Sequence, residues 1–147
     1  MNKTILITGA TSGIGKATAE LLASLGFRLI LAGRRKDRLV ELKDNLRHLA
    51  KIHILNFDVR DKDAISKLIA GLPKDFREID VLINNAGNAY GMGPIHEGEL
   101  DDWDNMIDIN LKGLLYVTRA ISPQMVERKS GHIINIGSLA GVETYPN

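Results

Sequence analysis

Five short apolar runs, at residues 3–8, 28–32, 52–57, 79–84 and 132–137, most constrain how this chain can fold. Their centres, such as Ile5-Leu6-Ile7 and Val81-Leu82-Ile83, do not alternate with polar residues. A strand of that kind is apolar on both faces and needs cover on both, as inner strands of a parallel sheet have. The stretches between the runs space their apolar residues as helices do. Strands alternating with helices predict an α/β fold, a doubly wound parallel sheet with helices on both faces. Right-handed crossovers remove most other topologies. In the Rossmann-like form the strand order is 3-2-1-4-5, with ligand at the carboxyl ends near the first and fourth strands.

The helices read as follows. Ile14, Ala17, Leu21, Leu22 and Leu25 come at helical spacing, with Gly26 as a stop. Asp37 is the expected cap of a second helix with the stripe Val40, Leu42, Leu46 and Leu49. Asp61 is the expected cap of a third, with Ile65, Leu68, Ile69 and Leu72 inward. Residues 88–98, rich in glycine and holding Pro94, read as a loop. One long helix is expected over residues 100–128, with Trp103, Ile107, Leu114, Val117 and Ile121 on its apolar side.

A length of 147 residues fits a single domain over 1–147, and 44% hydrophobic residues can supply its core. Nineteen basic and 18 acidic residues nearly cancel, which gives no reason to expect nucleic acid or an anionic membrane as partner. The absence of cysteine excludes disulfides, thiolate metal sites and cysteine nucleophiles. His48, His53, His96 and His132 lack close metal-ligand spacing, so they are expected at the surface or in loops and no metal is expected. The first apolar run is too short for a signal peptide or a membrane span, which makes the cytoplasm the default location.

The segment Thr8-Gly9-Ala10-Thr11-Ser12-Gly13-Ile14-Gly15 joins the first strand to the first helix. Gly9 suits a sharp turn, Gly13 lets backbone approach a pyrophosphate, and Gly15 lets the helix pack closely on the strand. The helix amino terminus then offers unpaired N–H groups and a positive dipole end to the anion, to which the Thr11 and Ser12 hydroxyls can add hydrogen bonds. The spacing G-x-x-x-G-x-G also suits a plain strand-to-helix turn. Its place after an apolar strand and at a helix start favours the phosphate reading.

The second strand ends Leu31-Ala32-Gly33-Arg34-Arg35, without the carboxylate that holds a ribose 2′-hydroxyl in NAD enzymes. Arginine binds a 2′-phosphate by two charge-assisted hydrogen bonds. The expected cofactor is therefore NADP, with Arg34 as first choice for the phosphate and Arg35 as second. The competing reading of Arg34, Arg35, Lys36 and Arg38 is a solvated helix start.

Thr8-Gly9-x-x-x-Gly13-Ile14-Gly15, Asp58-Val59, Asn84-Asn85-Ala86-Gly87, Asn110 and Ile136-Gly137-Ser138 occur in one order along the chain. Together they resemble the short-chain dehydrogenase/reductases, and the resemblance covers the whole chain. Segments 80–87, 102–108 and 131–138 are similar to those of bacterial NADP-dependent 3-hydroxy acid dehydrogenases, which oxidise serine and related acids. The resemblance implies an NADP-dependent oxidoreductase acting on a small hydroxy acid or carbonyl substrate, and a homo-oligomer. It implies that Asp58 and Val59 hold the adenine, and that Asn85, Ala86 and Gly87 lie along the cofactor. Asp58 can equally end a strand or cap a turn.

Asn110 falls within the apolar stripe of the long helix, where an asparagine needs hydrogen-bond partners. It can be a structural residue satisfied by backbone; the resemblance implies that it holds a water in a proton relay. Ser138, at the end of the fifth strand, would by resemblance bond the reacting oxygen and steady its developing charge.

Hydride transfer needs a proton donor or acceptor at the same oxygen. The family uses a tyrosine about 13 residues beyond the serine, in a Tyr-x-x-x-Lys motif, and none occurs in this chain. Tyr145 has no room for the following lysine, and Tyr90 and Tyr116 lack one. The chain thus reads as the amino-terminal part of an enzyme, inactive alone and lacking the final strands of the family fold. A non-catalytic NADP-binding module or sensor, or a non-redox relative, is the alternative if the natural chain ends at Asn147. The fifth strand is then an open edge at which Ile133, Ile134 and Ile136, with Val81, Leu82 and Ile83 beside them, are expected to lose cover.

Overall fold

The computed structural model describes residues 3–91 and 93–143. Strand β1 (Thr4–Thr8) is buried along its whole length. It lies between two parallel partners, β2 (Arg28–Gly33) and β4 (Val81–Asn84). β3 (Ile52–Asn56) pairs with β2, and β5 (His132–Asn135) with β4, giving the expected order β3-β2-β1-β4-β5. The fourth strand begins later than its apolar run. The Ile79 N–H donates to the Gln124 side chain at 3.0 Å, and the Ile79 carbonyl accepts from Arg128 at 2.7 Å, so its backbone pairs with a helix rather than a strand.

Successive strand side chains enter opposite layers. Leu6, Ile30, Leu55 and Leu82 pack with Ile65 of α3 (Lys62–Ala70) and with Val117 and Ile121 of α5 (Leu114–Glu127). Ile5, Ile7, Leu29, Leu31 and Ile83 pack with α1 (Gly13–Ser24) and α2 (Lys36–Leu46). Burying one such Leu or Ile contributes about 1.5–3 kcal/mol relative to leaving it exposed.

The helices bury other faces than their largest apolar residues suggest. α1 buries Gly15, Ala19 and Ala23, while Ile14, Leu21 and Leu25 are exposed. Small residues on one face let the helix approach the sheet, and the bulky residues are left outside. Arg35, not Asp37, holds the N-cap position of α2 and makes no side-chain cap bond; Asp37 sits in the first turn, where a carboxylate suits the positive end of the dipole. Its buried stripe is Leu39, Leu42 and Leu46, with Val40 and Leu49 exposed. α3 matches its reading: Asp61 accepts from the Ala64 N–H at 2.9 Å, and Ile65 and Leu72 are buried.

The long helix is interrupted. α4 (Leu100–Ile107) passes into a π-helical segment, Asp108–Gly113, before α5. The wider turn shifts the phase of the stripe, so Ile109 is buried and Ile107 exposed. His53 is a further correction: it lies on β3 rather than in a loop or at the open surface, half-buried, with its ring 5.4 Å from that of Phe76. Burial, and then the Lys43 charge, lowers its pKa from the ordinary histidine value.

β5 is the sheet's exposed edge, and Ile133, Ile134 and Ile136 remain 36%, 36% and 39% exposed. Leu82 and Ile83 keep their cover, contrary to the expectation, because the clusters under α5 and α1 enclose them. Among the described residues no helix is long and apolar enough to cross a membrane. Tyr145 lies outside the described residues.

Candidate functional site

At the carboxyl ends of the strands opens a cleft of about 870 Å³. Gly9, Thr11, Ser12, Gly13 and Ile14 line it from the glycine turn. Arg34 and Arg35 line it from the end of β2, and Asp58 and Val59 from the end of β3. Asn85, Ala86 and Gly87 follow β4; Asn110 comes from the π-helical segment and Ser138 from beyond β5. Of the residues singled out in the sequence, Gly15 alone is absent from the lining. It is buried, and an added Cβ would sit on the Asn85 side-chain nitrogen and the Gly9 carbonyl oxygen.

The turn is tied to β4 from both sides. Thr8 Oγ1 accepts from the Asn85 and Ala86 N–H groups, each at 3.0 Å. Asn85 Nδ2 donates to the carbonyls of Thr8 at 2.9 Å and Gly9 at 3.2 Å. The Asn85 side chain therefore shapes the glycine turn. Gly9 has φ +65° and Gly13 φ +52°, a region costly for residues with a Cβ. At Gly13 an added Cβ would meet nothing within 4 Å. The turn is thus packed underneath at Gly15 and open above at Gly13, as a cradle for a ligand requires.

Arg35 spans this turn. Its Nε and NH2 donate to Thr11 Oγ1 at 3.2 and 2.8 Å, and NH2 donates to Ser12 Oγ at 2.9 Å. Ser12 is the N-cap of α1 and makes no side-chain cap bond, so the helix end keeps its N–H donors for another acceptor. A guanidinium and a helix amino terminus then face one region, which suits an anion. Arg34 is held through its backbone: Asn56 Nδ2 donates to the Gly33 and Arg34 carbonyls, both at 2.9 Å.

Asp58 Oδ2 accepts from Arg60 NH2 at 2.7 Å, while Oδ1 accepts from Arg60 Nε at 3.1 Å and from its backbone N–H at 3.0 Å. Burial raises the Asp58 pKa, but the Arg60 hydrogen bonds and the charges of Arg60 and Arg34 outweigh it and hold the carboxyl below its usual value.

Asn110 Oδ1 accepts from the Asn88 N–H at 2.9 Å, and its Nδ2 donates to the Asn88 carbonyl at 2.8 Å. The structural reading of Asn110 is thus realised, in a side chain that also lines the cleft. Asn88 lines it too, and its buried side-chain amide has no hydrogen-bond partner among the described residues. Asn84 Nδ2 donates to Thr118 and Asn135, both at 2.9 Å, joining β4, α5 and β5. Ser138 Oγ accepts from the Ala140 N–H at 3.1 Å and caps the short turn Leu139–Gly141. Sequence reasoning missed Asn56, Arg60 and Asn88. The available signal was their polarity within or shortly after apolar runs, which does not reveal the partner.

A family model for short chain dehydrogenases matches residues 3–147. The chain belongs to the short-chain dehydrogenase family. It is 49% identical over 141 residues to the NADP-dependent 3-hydroxy acid dehydrogenase of Escherichia coli K12, covering 96% of this chain and 56% of the relative. It is 46% identical over 145 residues to the serine 3-dehydrogenase of Rhizobium radiobacter, covering 99% and 57%. A solved serine dehydrogenase complexed with NADP+ superposes with a TM-score of 0.91 at 49% identity, covering 97% of this chain and 56% of that one. The chain spans a little over half the length of these relatives.

In this member of the family, Arg35 forms one bonded unit with Thr11 and Ser12. Asp58 forms another with Arg60. Among the described residues no cluster of His, Asp and Glu could hold a metal ion.

Proposed function

We propose that this chain is the cofactor-binding part of an NADP-dependent oxidoreductase that interconverts a hydroxyl and a carbonyl on a small 3-hydroxy acid such as serine. The observation that carries the reading is the pair Arg34 and Arg35, lining a cleft whose glycine turn is open at Gly13. The names of the relatives at 46–49% identity support the substrate class.

The cleft fits the cofactor in three respects. Gly13 leaves backbone accessible, the α1 amino terminus has no side-chain cap, and the buried Asn88 amide lacks a partner among the described residues. Gly9, Thr11, Ser12, Gly13 and Ile14 would hold the pyrophosphate, with Gly15 keeping the turn in place. Arg34 and Arg35 would hold the 2′-phosphate. Asp58 and Val59 would hold the adenine, and Asn85, Ala86 and Gly87 would line the ribose. When bound, the nicotinamide supplies or accepts the hydride. Ser138 would donate its hydroxyl proton in a hydrogen bond to the reacting oxygen, stabilising negative charge there. Asn110 would fix the Asn88 loop and hold a water for proton transfer. No Tyr-x-x-x-Lys occurs in the 147 residues, so these residues do not include the family's proton-transfer pair.

The cytoplasm suits such an enzyme. Ile107, Leu111 and Leu115 are exposed at four-residue spacing, which suits association of copies into a homo-oligomer.

The test is turnover of serine and related 3-hydroxy acids with NADP by the full-length protein purified from its natural source. Ser138→Ala is expected to lower turnover by about 10²-fold or more with NADPH binding unchanged. NADPH binding without turnover of any such acid would favour the binding-module reading, and no NADPH binding would defeat both.

A further inference from the structure

Two arginines approach one carboxylate at the carboxyl ends of β2 and β3, and they do so unequally. Arg60 makes two side-chain hydrogen bonds to Asp58, at 2.7 and 3.1 Å. Arg34 NH1 stands 3.8 Å from Asp58 Oδ2, an ion-pair approach beyond hydrogen-bond length. Arg60 is anchored on its other side: NH1 donates to Asn105 Oδ1 at 2.9 Å, and Asn105 Nδ2 donates to the Asp101 carbonyl at 2.8 Å. The guanidinium is therefore held between α4 and the end of β3. Arg34 and Asp58 line the cleft, whereas Arg60 does not.

We propose that Arg60 is a positioning residue for cofactor choice: by occupying the Asp58 carboxylate it leaves the Arg34 guanidinium available for a 2′-phosphate. The inference rests on the function proposed above. A carboxylate here acts on a 2′-phosphate in two ways, repelling it directly and pairing with the arginine that would bind it. Arg60 reduces both effects by neutralising Asp58. Arg34, with its side chain 55% exposed, is free to swing. Without Arg60 the nearby anion for Arg34 is Asp58, and a phosphate would have to displace it. A nucleotide with a plain 2′-hydroxyl does not need Arg34 and is little affected. The effect therefore falls on the preference between two nucleotides rather than on binding in general.

The experiment compares dissociation constants for NADPH and NADH, read by nucleotide fluorescence, in the wild type, R60Q, R60K and the double variant R60Q/D58N. R60Q is expected to reduce the NADPH-over-NADH preference about tenfold, the scale of one charge-assisted contact. R60Q/D58N is expected to recover most of it, because no carboxylate then competes for Arg34. R60K, with one ammonium in place of a two-pronged contact, is expected to lie between wild type and R60Q. An unchanged preference in R60Q overturns the proposal, and should R60Q fail to fold, an unchanged preference in R60K does the same. Loss in R60Q without recovery in the double variant also overturns it, because Arg60 would then touch the phosphate itself. A wild type with no preference for NADPH would instead defeat the function proposed above, and this inference with it.

Discussion

Asn110 and Asn88 hold each other in both directions, side-chain oxygen to backbone N–H at 2.9 Å and side-chain nitrogen to backbone carbonyl at 2.8 Å. The pair fastens the segment after β4 to the π-helical segment. Asn110→Leu removes both bonds and leaves two part-buried backbone groups unsatisfied. It should destabilise the fold by about 2–3 kcal/mol. Asn110→Asp keeps the acceptor and should cost less. Denaturant unfolding of the three proteins checks the order; equal stability of wild type and N110L would show that the clamp contributes nothing.

Gly13 and Gly15 should fail differently when changed to alanine. At Gly15 the new methyl meets Asn85 and the Gly9 carbonyl, so G15A should lower stability by about 1–3 kcal/mol through overpacking. At Gly13 there is space but φ is +52°, so G13A should cost about 1 kcal/mol of strain while weakening NADPH binding more strongly. Melting curves and cofactor titrations on both variants separate the two effects. A G13A protein binding as tightly as wild type would count against a phosphate at that turn.

His53 gives the fold a pH dependence of predictable sign. Its pKa is lowered in the folded state, by burial first and by Lys43 second, so the unfolded chain takes up the proton more readily. The stability linked to His53 is complete above the unfolded value of about 6.5 and is lost as pH falls below it. His53→Gln removes this titration. The unfolding free energy of wild type should therefore fall faster than that of H53Q below about pH 6.5, and parallel curves would refute the assignment.

The exposed edge at β5 should make the 147-residue chain self-associate, since Ile133, Ile134 and Ile136 are part-exposed along an edge strand whose outer side carries no further strand among the described residues. Ile134→Lys places a charge on that edge and should shift the chain toward monomer in sedimentation measurements. Identical profiles for both proteins would place the association elsewhere or show that it does not occur.

The inner strands were legible because uninterrupted runs such as Ile5-Leu6-Ile7 and Leu29-Ile30-Leu31 require two covered faces whatever surrounds them. The glycine turn was legible for a similar local reason: Gly9 and Gly13 adopt positive φ, which glycine supplies within one residue. Arg34 and Arg35 were legible because they directly follow a strand whose end must open on the ligand side.

What the sequence by itself determined is therefore what one segment decides alone: strand, turn, helix, and the charge at a strand end. Tertiary structure decided which helix face turns inward and which polar groups meet. α1 buries Ala19 and Ala23 rather than Leu21 because the sheet's distance of approach selects small residues, and no periodicity within the helix encodes that distance. The π-helical segment around Asn110 and the Arg60 contacts to Asp58 and Asn105 also depend on neighbouring elements. Arg60 and Asn105 lie 45 residues apart in sequence and share a hydrogen bond only because the sheet folds their elements together.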